Sequence, residues 1–139
     1  MISELALRPF RGRLTTYAIE PWVRAIPATL YLGLIYFVSA TPGPDLPNVV
    51  DDRVAHFTEY SILGVLLLLF ATAFSIRGSH FPRFAAVWLF ALAWAVSDEF
   101  HQSFVPGRDV EVKDVVFDML GLSFALVVLW LLLRRRSDS

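Results

Sequence analysis

Asp98-Glu99-Phe100-His101-Gln102 sets two carboxylates, an imidazole and an amide side by side. A second group, Asp52, His56, Glu59 and Tyr60, adds two acids, another imidazole and a phenol, and Asp114 and Asp118 form a third. Histidine and glutamate are the usual carriers of general acid/base chemistry, so His56, Glu59, Glu99 and His101 are the catalytic candidates. The same types suit a divalent metal, which His56, Glu59, Glu99 or Asp98, and His101 would hold. Asp52, Tyr60, Asp98, Gln102, Asp114 and Asp118 are candidate ligand-binding groups. Arg108, on the turn after Val105-Pro106-Gly107, offers a permanently charged planar fork for a carboxylate or phosphate.

Helical spacing gathers each group onto one face. Asp52, His56 and Glu59 fall at i, i+4 and i+7, with Tyr60 four beyond His56. Asp98 shares a face with His101 and Gln102, and Asp114, Asp118 and Gly121 repeat the first pattern.

The elements that carry these stripes read as membrane helices. Of 139 residues, 56% are hydrophobic, and the mean hydropathy of +0.58 is high for a small soluble domain. A helix of roughly 20 apolar residues crosses a bilayer core. Four segments qualify: Trp22 to Ala40, Val54 to Ile76, Phe84 to about Phe104, and Asp114 to Leu133. Breakers separate them at Thr41-Pro42-Gly43-Pro44 with Pro47-Asn48, at Arg77-Gly78-Ser79-His80-Phe81-Pro82, and at Pro106-Gly107. The spacing predicts an all-α membrane protein of four transmembrane helices. Arg8, Arg11, Arg13, Arg24, Arg77, Arg83, Arg134, Arg135 and Arg136 fall on one side; Arg53, Arg108 and Lys113 fall on the other. That bias predicts an N-in/C-in topology. All three polar groups then lie near the outer face. Ionisable groups at that depth must face one another across a shared pocket, since facing lipid costs several kcal/mol.

A net charge of −1 argues against nucleic-acid binding, and 0 Cys excludes disulfide and thiolate chemistry. No apolar core follows the N-terminal basic residues directly, so no cleaved signal peptide is expected. Some residues have plainer readings: Asp51 and Arg53 as interfacial surface, Asp109 and Glu111 as loop solvation, His80 as a loop histidine, Gly64 and Gly121 as packing contacts.

Three stretches together resemble the VanZ-like membrane protein family. They are Asp52-x-x-x-His56-Phe57-x-Glu59-Tyr60-x-x-Leu63-Gly64, then Asp98-Glu99-x-His101-Gln102-x-Phe104-x-Pro106-Gly107-Arg108, then Asp114-x-x-x-Asp118-x-x-Gly121, within about residues 50–125. Asp118 departs from the asparagine usual in the family. The resemblance implies one VanZ-like domain over residues 1–139, in the cytoplasmic (inner) membrane of a bacterium. The family takes its name from an accessory protein of glycopeptide-resistance clusters that is associated with low-level teicoplanin resistance. The expected partner is a membrane lipid or lipid-linked envelope precursor, and nothing in the sequence sets an oligomeric state.

The pocket admits several readings. It could act on an outer-leaflet lipid or lipid-linked glycan as an enzyme, with or without a divalent metal. It could bind such a ligand, or an amphiphilic antibiotic, without turnover. It could be a packing network that fixes helix register. Ion transfer fits least, because Leu66 to Phe74 and Leu122 to Leu131 offer no polar path to the other side.

Overall fold

The computed structural model describes residues 21–45, 51–74 and 81–137. Within them lie four helices: α1 (Pro21–Ser39), α2 (Asp52–Ala71), α3 (Phe81–Gln102) and α4 (Val112–Ser137), with a short 3-10 turn at Gly43–Asp45. Each boundary has a local cause. Pro21 opens α1, where a missing N–H costs nothing. Asp51 caps α2, its Oδ1 accepting the Arg53 backbone N–H at 3.0 Å. Pro82 stands in the first turn of α3. The α3–α4 turn closes through Gly107 at φ +72°, which favours glycine.

Three helices, α1, α2 and α4, contain stretches long and apolar enough to cross a membrane: Trp22–Ser39, Asp52–Ala71 and Val112–Arg135. α3 has 22 residues but falls outside that group, because Arg83 sits near one end and Asp98, Glu99, His101 and Gln102 crowd the other. Arg8, Arg11, Arg13, Arg77, Pro47-Asn48 and His80, which entered the topology and loop readings, lie outside the described residues.

α2 and α4 form the most intimate pair. Both start at the same end, so they run parallel, with α1 and α3 antiparallel to them. Small residues let the pair approach. At Gly64, an added Cβ would stand 3.0 Å from Leu122 Cδ1 and 3.4 Å from Ala125. At Gly121 it would collide with the Phe57 carbonyl. The Ser61 hydroxyl, next to this crossing, donates to the Gly121 carbonyl at 3.0 Å and to its own helix at Phe57 O, 2.7 Å. The packing reading of both glycines therefore holds.

Tyr60, Ile35, Leu63 and Leu122 are the largest fully buried side chains, joined by Ala91 and Ala95 of α3. The outward faces are apolar too: Leu30, Phe37, Leu69, Leu89, Phe124 and Leu132 are exposed. Such continuous apolar faces suit lipid contact. At the polar end the two loops lock together. The Gly43 N–H donates to Pro106 O at 3.2 Å, and a Cβ on Gly43 would collide with the Gly107 carbonyl. This contact fixes the ends of α1 and α3 beside the starts of α2 and α4.

Candidate functional site

That end gathers the polar side chains. Asp98, Glu99, Gln102, His56, Asp114 and Asp118 are buried, with Ser39 among them. A buried polar group without a partner costs about 1–3 kcal/mol, so each must be accounted for.

Two sets are satisfied. In the first, the Ser39 hydroxyl donates to Asp98 Oδ2 at 2.6 Å. Gln102 Nε2 donates to the same oxygen at 3.1 Å and to Ser39 Oγ at 3.3 Å. This knot ties α1 to α3. In the second, His56 Nδ1 lies 2.9 Å from Asp118 Oδ1, which ties α2 to α4. The ring's other nitrogen, Nε2, faces Asp52 Oδ1 at 3.9 Å, and the Asp52 side chain is 69% exposed.

A third set is buried without hydrogen-bond partners: both carboxylate oxygens of Glu99, the Tyr60 hydroxyl and His101 Nε2. Tyr60 is among the largest fully buried side chains of the fold. Glu59 itself is half-buried. His101 stacks on Tyr36 of α1, with ring centroids 4.6 Å apart.

Arg108 is turned partly away from this group. Its guanidinium donates to the Val38 carbonyl at 3.0 Å. It thereby caps the last turn of α1, where a cation also meets the negative end of the helix dipole. Its field still reaches Glu59, and its buried Nε has no acceptor.

The expected metal set does not assemble. Among the described residues, the grouping with ligand atoms mutually within 4.8 Å is Asp52, His56 and Asp114. Glu59, Glu99, Asp98 and His101 are not in it; Asp98 is held by α1, and His101 packs on Tyr36. α1 contributes to this end as well. Ser39, Tyr36 and the Val38 carbonyl all serve the polar end, so all four helices build it. Ser39 and Tyr36 lie in the apolar run Leu34-Ile35-Tyr36-Phe37-Val38-Ser39, where neither spacing nor composition marks them.

A family model described as VanZ/LLP1 matches residues 7–134. The chain belongs to the VanZ/LLP1 family. The match takes in all four helices up to Arg134, and with three span-length apolar helices it makes this a VanZ-like membrane protein. No curated protein and no solved structure gives a significant match. In this VanZ-family chain the three quoted stretches supply the three polar faces, and Asp118, the departure from asparagine, is the residue that holds His56.

Proposed function

We propose that this VanZ-family protein crosses a bacterial cytoplasmic membrane four times, N-in/C-in. Its polar end would bind the head of an outer-leaflet lipid, a lipid-linked glycan or an amphiphilic antibiotic of the teicoplanin type. The observation that carries this reading is the unpaired set, Glu99, Tyr60 and His101. Buried polar atoms of this kind call for a partner that is not part of the chain. Their chemistry narrows it. Carboxylates only accept hydrogen bonds, and Asp52, Glu59, Asp98, Glu99, Asp114 and Asp118 outnumber Arg108. The ligand's buried portion must therefore bring donors, as sugar hydroxyls or an amine do; a bare phosphate would be repelled unless it lay against Arg108.

Native mass spectrometry of protein released from mild detergent tests this reading. The expected result is one retained amphiphile per chain, shed by Tyr60→Phe, which removes one of the unpaired groups and little else. A wild-type protein that emerges bare would overturn it. The topology has a separate test. A reporter fused after Ser139 is expected to read cytoplasmic, and an external signal would put the polar end in the cytosol.

A further inference from the structure

We propose that Asp52, His56 and Asp114 form a divalent-cation site of the zinc or manganese class, with Asp118 positioning the histidine and the buried, unpaired Glu99 near it. The site stands on its own geometry and does not depend on which amphiphile the protein holds.

The imidazole comes first. The 2.9 Å contact between His56 Nδ1 and Asp118 Oδ1 puts the ring proton on Nδ1. In the neutral ring Nε2 then presents a lone pair, and 3.9 Å away it faces Asp52 Oδ1. That distance is too long for a hydrogen bond. A divalent cation between them would take the place that a proton on Nε2 otherwise fills. A histidine held by a carboxylate on one nitrogen, with the other nitrogen free, is the arrangement that orients and strengthens a metal ligand. Asp114 completes a set whose ligand atoms all lie within 4.8 Å of one another. Ligands about 2.0–2.1 Å from a tetrahedral zinc are about 3.3 Å apart, so a modest inward turn of the side chains would close the site.

Glu99 is the independent observation. It is 6% exposed, and neither oxygen has a hydrogen-bond partner. The charges acting most strongly on it are those of Asp114 and His56, two of the three proposed ligands. The Glu111 backbone N–H attracts it as well but does not reach hydrogen-bonding geometry. Helix dipoles explain an acid in the first turn of α2 and of α4, at Asp52 and Asp114. They do not explain Glu99, which sits near the C-terminal end of α3, where the dipole opposes a negative charge.

The cations described at this end are engaged elsewhere. Arg108 donates to Val38 O, Lys113 pairs with Glu111 at 3.2 Å, and Arg53 lies over the Phe117 ring. One imidazole with several carboxylates suits zinc or manganese. The exposed Asp52 gives an ion a way in from solvent.

The test uses the full chain, purified on a histidine-free tag, stripped with chelator and titrated calorimetrically with Zn2+ and then with Mn2+. One ion per chain is expected. Asp52→Asn alters an exposed side chain and should fold normally; it is expected to weaken binding roughly tenfold or more, and Asp118→Asn, acting through His56, about 10–100-fold. Asp109→Asn, an exposed loop acid, should bind as wild type does. The proposal fails if folded wild-type protein takes up neither ion. It also fails if Asp52→Asn binds as tightly as wild type, or if Asp109→Asn weakens binding as much as Asp52→Asn does.

Discussion

His56→Ala is expected to destabilise the protein by about 3–5 kcal/mol, the usual loss when one partner of a buried charged pair is removed. Asp118 is 2% exposed, and its described side-chain partner is the His56 ring at 2.9 Å. Without the ring, a carboxylate is left in the α2–α4 seam, the most closely packed part of the fold. Thermal melting in detergent reads the loss. The double variant His56→Ala/Asp118→Asn should recover much of it, because an amide carries no charge to strand. A single variant that melts with wild type would show that the pair contributes nothing to the fold.

Asp98→Ala should also be severe, for a different reason. Asp98 Oδ2 accepts from the Ser39 hydroxyl at 2.6 Å and from the Gln102 amide at 3.1 Å. Alanine strands both donors in a buried site, at roughly 1–3 kcal/mol each. The Gln102–Ser39 contact at 3.3 Å survives and limits the total. Because this knot ties α1 to α3, the damage should be uneven. Hydrogen exchange should rise most in the last turn of α1, around Val38 and Ser39. Unchanged protection there would mean that α1 is held by other contacts.

The sequence made the stripes legible because helical spacing is local. Asp52, His56 and Tyr60 are on one face whatever α2 packs against, and so are Asp98 and Gln102. Helix positions followed from the same logic, within a few residues at most boundaries. What stayed hidden depends on contacts distant in the chain. The two histidines look equivalent in sequence, each beside glutamate on a helix. Packing separates them: His56 faces Asp118 of α4, while His101 faces Tyr36 of α1. Ser39 is a lone hydroxyl in an apolar run, and only the position of Asp98 gives it a role. The meeting of Gly43 with Gly107 joins two loops more than sixty residues apart in the chain. α3 shows a limit of another kind, since apolar lead-in residues hide how far its two polar ends lower the whole helix.

Glu99→Gln is the most direct test of the central claim that the unpaired groups bind a ligand while the paired ones hold the fold. The variant keeps the side chain's shape and, with neither oxygen hydrogen-bonded within the chain, breaks no internal bond. Amphiphile retained per chain, read by native mass spectrometry on protein of verified melting temperature, is the deciding quantity. The predicted result is retention lower by roughly tenfold or more, equivalent to about 1.4 kcal/mol of lost affinity, with melting at or above wild type. A variant that keeps its amphiphile but melts well below wild type would contradict the account and make Glu99 part of the packing network.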